Sequence, residues 1–188
     1  MTQADKYIYV VLTQTGTVPA RIIKFFTKAP YNHASISSDI ELQGLYSFCR
    51  KFKSRPLPAG FVEEKGVGVF DMFQSIPCEI YAFKVTDEQY EKYNSIITHF
   101  KLSNETYSYN IIGLLALIFG FSIHRKKHFI CSQFVAHILE ECDIAHFYKD
   151  SCLVKPDDFR YLEKAKLVYK GDMKELPPFS FHRESHAK

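Results

Sequence analysis

The chain has no tryptophan, no CxxC pair and only a mild excess of charge. Each shortage excludes something. A formal net charge of +3 gives no basic field of the kind that points to nucleic acid. Charged residues at 24% match an ordinary globular chain, which excludes wholesale disorder. The longest apolar stretch, "IIGLLALIFGF" at 111–121, is too short to span a bilayer. There is no internal repeat and no low-complexity block. The opening "MTQADKYIYVVLTQTG" has neither the basic start nor the long apolar run of a signal peptide, so a cytoplasmic setting is the expectation. The five cysteines, Cys49, Cys78, Cys131, Cys142 and Cys152, are odd in number and irregular in spacing. In a reducing compartment they are expected as free thiols. No compact set of His, Cys and acidic positions has zinc-like spacing, so no metal or other cofactor is expected.

What is present suits one domain. The 188 residues are 46% hydrophobic, with 17 Phe and 12 Tyr. That is enough to bury one core, placed at about residues 7–171 of a single domain spanning 1–188, with a loosely docked tail at 177–188. Strands are expected at "YIYVVLTQT" (7–15), in "NHASISS" paired with "ELQGLYSF", at "CEIYAFKV" (78–85) and at 166–169. Helices are expected after Thr17, after Thr86, at about 108–120 and from Cys131 onward. Residues 51–68, "KFKSRPLPAGFVEEKGVG", carry Pro and Gly at loop density and are expected as a long surface loop bordering a cleft. The class is α+β, an antiparallel sheet packed against helices.

In "KKHFICSQFVAHILEECDI" (126–144) a cysteine opens an apolar run of helical spacing. Cys131, Val135, Ile138 and Cys142 fall on one face. One reading makes Cys131 a small buried hydrophobe. The other makes it a nucleophile, since a helix N-terminus offers free N–H groups and a positive dipole end that lower a thiol pKa and hold an oxyanion. A nucleophile needs a base. His33 lies in "YNHASIS", a strand-like segment that aims an imidazole rigidly and sets it opposite Ala34 and Ile36. A half-buried structural histidine is the competing reading.

A strand-borne histidine early in the chain, then "FICSQFVA" late, resembles the circularly permuted papain-like hydrolases of the NlpC superfamily, the YiiX-like branch in particular. "LVKPDDFRYL" (153–162) followed by "LVYKG" resembles the tail of that branch. The resemblance covers about residues 7–171. It implies a permuted papain-like fold, with Cys131 as nucleophile and His33 as general base. It also implies a third polar residue on the strand after the histidine. On "ELQGLYSFCR" that residue is best matched by Ser47, with Gln43 and Glu41 behind it. The candidates for oxyanion or substrate binding are Tyr31, Tyr109, Ser132 and Arg50, with Lys51 beside Arg50.

The activity implied is a cysteine hydrolase, of peptidase or amidase type, cleaving peptide or isopeptide bonds through an acyl-enzyme. Its substrate would be a small peptide or a cell-wall fragment. Two alternatives stay open: a lipid-directed thiol acyltransferase or lipase acting on an acyl lipid, and a non-catalytic binding domain on the same fold. The run at 111–121, followed by Arg125, Lys126 and Lys127, is favoured as a buried core helix with a basic exit over one lying on a membrane surface. Nothing in the sequence fixes an oligomeric state.

Overall fold

The structure, a computed structural model, describes residues 5–15, 29–52, 55–64, 73–103 and 106–176. The helix expected after Thr17 and the tail at 177–188 lie outside these residues. Eight strands are described: β1 (Lys6–Thr13), β2 (His33–Ser37), β3 (Tyr46–Phe52), β4 (Arg55–Glu63), β5 (Pro77–Val85), β6 (Ser108–Tyr109), β7 (His128–Phe129) and β8 (Lys166–Asp172). Three α-helices accompany them: α1 (Asp87–Leu102), α2 (Ile111–Ile118) and α3 (Cys131–Glu141). The α+β class holds.

Six strands form one antiparallel sheet in the order β4-β3-β2-β1-β5-β8. β1 is central, and its run Tyr9–Leu12 is buried on both sides. Ile8, Val10 and Leu12 face a core shared with Ala34, Ile36, Phe48, Phe61, α1 and α3. Tyr9 and Val11 face a smaller core with Ile80, Ala82, Leu42 and Leu45. Successive strand residues point to opposite faces, so a strand buried on both reads as a continuous apolar run rather than an alternating one. A chain of aromatic contacts, Phe61–Phe134–Phe48–Phe129, ties β4 and β3 to the start of α3 and to β7.

The loop expected over 51–68 is corrected where it is described, since β4 pairs along its length with β3, from Tyr46↔Glu63 to Phe52↔Arg55; residues 53–54 and 65–68 lie outside the described residues. Pro56 and Pro58 do not break it, because β4 is the edge strand and one row of its amides needs no partner. Gly60 has a positive use. A Cβ there would stand 2.8 Å from the Tyr107 carbonyl oxygen. Its absence lets the segment leading into β6 lie directly against β4.

α1 starts with a complete capping box, the Thr86 hydroxyl accepting from Gln89 N–H and the Gln89 side chain accepting from Thr86 N–H. α2 is capped by Asn110, whose Oδ1 accepts from Gly113 N–H at 2.9 Å. α3 has no side-chain cap; Ile130 enters it in extended conformation. The first-turn amides of α3 are therefore left for another acceptor.

Candidate active site

His33 opens β2 opposite Thr13 of β1. On its other side β2 is registered with β3 at Ile36↔Tyr46 alone. Toward His33 the ladder to β3 is not continued, and the Ala34 amide is free to face a different acceptor. The sulfur of Cys131, the first residue of α3, lies near enough to that amide for it to favour the thiolate. The Ser132 amide, within the uncapped first turn, faces the same sulfur. Cys131 is only 3% exposed.

The His33 Nε2 lies 2.8 Å from Glu64 Oε1. This leaves Nδ1 for the thiol, and the Cys131 sulfur lies beside the imidazole, each favouring the other's charged form. Glu64 follows β4 directly, and its N–H donates to Leu45 O at 2.8 Å. That bond fixes its backbone at the edge of the sheet. The Ser35 hydroxyl, two residues along β2 from His33, donates to the same Oε1 at 2.5 Å. Cys131, His33 and Glu64 thus stand side by side, the last two hydrogen-bonded, and all three are buried.

Burial opposes charge on all three groups, and the neighbours outweigh it. For His33, desolvation pulls the pKa down, but the Glu64 carboxylate and the Cys131 sulfur push it up to about 10. Glu64 resists its own burial through His33, Ser35 and Ser47, which hold it below the usual carboxylate range. Cys131 is likewise buried, yet the imidazole and the two amides of Ala34 and Ser132 bring its thiol below its ordinary value. These directions favour a thiolate beside an imidazolium that is anchored by a carboxylate.

Tyr109 sits in β6 beside this line. Burial first, then the charges of Cys131 and Cys49, keep its phenol protonated well above the ordinary range. A neutral O–H near the sulfur is a hydrogen-bond donor without a charge of its own. Its placement follows from Gly60 and from the register Tyr109↔Phe129 with β7, which leads straight into Cys131.

The remaining residues singled out from sequence fall elsewhere. Ser47 is fully buried on β3 opposite Val62. Its hydroxyl favours the Glu64 charge without good hydrogen-bond geometry and makes no bond to His33. The imidazole's partner is Glu64, one strand further on than the segment where Ser47, Gln43 and Glu41 lie. Glu41 and Gln43 belong to an exposed turn, where their amides donate to Asp39. Tyr31 lies near Glu79; burial and that carboxylate push its pKa up to about 12. Arg50 lies on β3 opposite Ala59, where its charge acts on the Cys49 thiol. The Ser132 side chain is committed to Val154 O at 2.6 Å, so only its backbone faces the sulfur.

The motif "LVKPDDFRYL" has a structural role. Arg160 Nε is 2.9 Å from Glu79 Oε2 on β5, and Lys170 of "LVYKG" is 3.1 Å from the other oxygen. Tyr81 donates to Glu79 at 2.7 Å. Both pieces of the tail thus converge on one buried carboxylate and close β8 and its preceding turn against the sheet.

Among the described residues one group of possible metal ligands comes together: His124, Asp150 and Cys152. Its imidazole stands between the other two, Nε2 2.7 Å from Asp150 Oδ2 and Nδ1 3.5 Å from Cys152 Sγ. The two nitrogens of an imidazole point to opposite sides, so this is a hydrogen-bonded chain rather than a convergent set of ligands.

No protein-family model matches the chain, and neither a curated protein nor a solved structure matches it. No helix among the described residues is long and apolar enough to cross a membrane.

Proposed function

We propose that the chain is a cysteine hydrolase of the permuted papain-like kind, cleaving amide bonds through an acyl-enzyme. The observation that carries this reading is the buried line Cys131–His33–Glu64. Maintaining three ionisable groups together away from water is expensive unless each one satisfies the next. Perturbed titratable groups that also share direct contacts are typical of sites that move protons. The order of the parts, strand-borne histidine first and helix-opening cysteine later, is what the resemblance to the YiiX-like branch of the NlpC superfamily implies.

In this mechanism the Cys131 thiolate attacks the substrate carbonyl carbon, and the carbonyl π pair moves to oxygen. The Tyr109 hydroxyl and a first-turn amide of α3 hold that oxyanion. As the intermediate collapses, the His33 imidazolium gives its proton to the leaving amine and the C–N bond breaks. His33, now neutral, takes a proton from water. The resulting hydroxide adds to the thioester, and collapse releases the acid and restores the thiolate. Glu64 positions the ring and stabilises its charged form throughout.

The test is a panel of peptide, isopeptide and ester substrates with Cys131→Ala as control. Turnover of at least one class that is lost in Cys131→Ala, together with a thioester adduct on Cys131 in intact mass, supports the reading. Turnover surviving in Cys131→Ala contradicts it.

A further inference from the structure

Helix α2 is buried on one side only. Leu114 and Leu117 pack with Ile130, Tyr109 and Leu153. On the other side Ile112 is 52% exposed, Leu115 51% and Phe119 70%, and Phe121 beyond the helix is 67% exposed. Ile111, Ile112, Leu115 and Phe119 follow one another at spacings that keep them on one side of a helix. The expectation that this run lies wholly in the core is therefore only half met. Scattered exposed apolar residues are ordinary, but a continuous row of large ones is not.

The surrounding charge says what this row faces. From Thr106 to Leu139 the chain holds no Asp or Glu, while Arg125, Lys126 and Lys127 fall within it; the acid that the fold brings to this segment, Asp150, is paired with His124. Lys126 and Lys127 are exposed immediately after the apolar segment. A protein partner of ordinary composition would leave such a row without matching acids at a fixed place. A sheet of anionic head groups over acyl chains matches both the apolar row and the adjoining cations.

The geometry points to α2 and the segment through Lys127 as a docking surface for an anionic lipid bilayer. The excursion from Asn110 to Ile130 that carries the surface is closed at its base by the β6–β7 pair, with Asn110 N–H donating to Phe129 O at 3.0 Å. Tyr109 and Cys131 stand at that base. A bilayer held by α2 is thereby held beside the Cys131 site. The docking itself goes beyond the hydrolase reading and does not depend on it.

The test is flotation of the full chain with vesicles of phosphatidylcholine alone and of phosphatidylcholine mixed with phosphatidylglycerol. Wild type should float with the mixed vesicles, less so with neutral ones, and less so as salt rises. Lys126→Gln and Lys127→Gln should each weaken partitioning to the mixed vesicles roughly fivefold. Phe119→Ser with Phe121→Ser should weaken it by roughly tenfold or more, with unchanged thermal midpoint since both rings are exposed. Cys131→Ala should float like wild type, which separates this test from that of the chemistry. Absence of flotation at low salt overturns the proposal. So does a wild-type dimer, seen by light scattering and abolished by the Phe119 and Phe121 changes, since a second copy then covers the face.

Discussion

The Nε2 of His33 and the Oε1 of Glu64 stand 2.8 Å apart across the sheet edge, one from β2 and one from the residue after β4. The Ser35 hydroxyl reaches the same oxygen, so the carboxylate is fixed from two points on one strand. This pairing gives the imidazole a preference for its charged form that burial alone would deny it.

Glu64→Gln tests that dependence. The amide keeps the shape and removes the charge. Without the carboxylate, burial dominates and the His33 pKa falls from its place near 10. Alkylation of Cys131 near neutral pH should slow, because fewer molecules hold the imidazolium that lowers the thiol. At high pH, where the thiol ionises unaided, the rates of variant and wild type should converge. A Glu64→Gln profile that overlays wild type at all pH values would rule out this role.

The same pair predicts how stability varies with pH. Glu64 is held below its ordinary value of 4.5, so its contribution is present above that pH and is lost as pH falls through the depressed value. His33 is raised, so its contribution is complete below its ordinary value of 6.5 and is lost as pH rises through about 10. Urea denaturation should therefore show a plateau between about pH 4.5 and 6.5 and a decline on both sides. Glu64→Gln should flatten both slopes. Leaving a buried partner unpaired costs about 3–5 kcal/mol when it stays charged, and less here because His33 is able to release its proton.

Tyr109→Phe separates thiol activation from transition-state stabilisation. The ring stays packed and the donor is lost. Thiolate formation at Cys131 should change little, since the phenol is neutral and the imidazole does the activating. Acyl transfer should fall by about 10²-fold, the usual cost of one oxyanion donor. Equal loss in alkylation and in turnover would place Tyr109 in positioning the sulfur instead.

Arg160→Ala should destabilise the fold without touching the chemistry. It removes the guanidinium from the buried Glu79 and leaves Lys170 as the remaining cation. Arg160 is itself a quarter exposed, so the cost is below that of a fully buried pair, about 1–3 kcal/mol. The denaturation midpoint should drop while the Cys131 alkylation rate below the transition is retained. Adding Glu79→Gln should recover part of the loss, because the uncompensated charge is then gone.

The sequence made some of this legible and concealed the rest for physical reasons. Cys131 stands out because the apolar spacing of α3 begins at it, and His33 because β2 alternates around it. Glu64 did not. Pro56, Pro58 and Gly60 read as loop residues, and an edge strand is the one place in a sheet where such residues are admitted. Reading β4 as a loop leaves Ser47, one strand earlier, as the candidate partner of His33, whereas the imidazole bonds Glu64. Tyr31 and Tyr109 were equivalent candidates in sequence; only the tertiary partners, Glu79 for one and the surroundings of Cys131 for the other, separate them. The run at 111–121 is apolar on every side, so its periodicity does not say which half is exposed.

The central claim is that Cys131 is an activated thiolate set by His33. It is tested most directly by following iodoacetamide modification of each cysteine by mass, across pH, in wild type and His33→Ala. Burial pushes the thiols of Cys142 and Cys78 up to about 11 and about 12, and Cys49 well above its ordinary range. One fast site at Cys131 is predicted, ionising below the ordinary thiol value of about 8.5. In His33→Ala it should be slowed near neutral pH and much less at high pH. Labelling of Cys131 no faster than Cys142, or a profile unchanged by His33→Ala, would contradict the account.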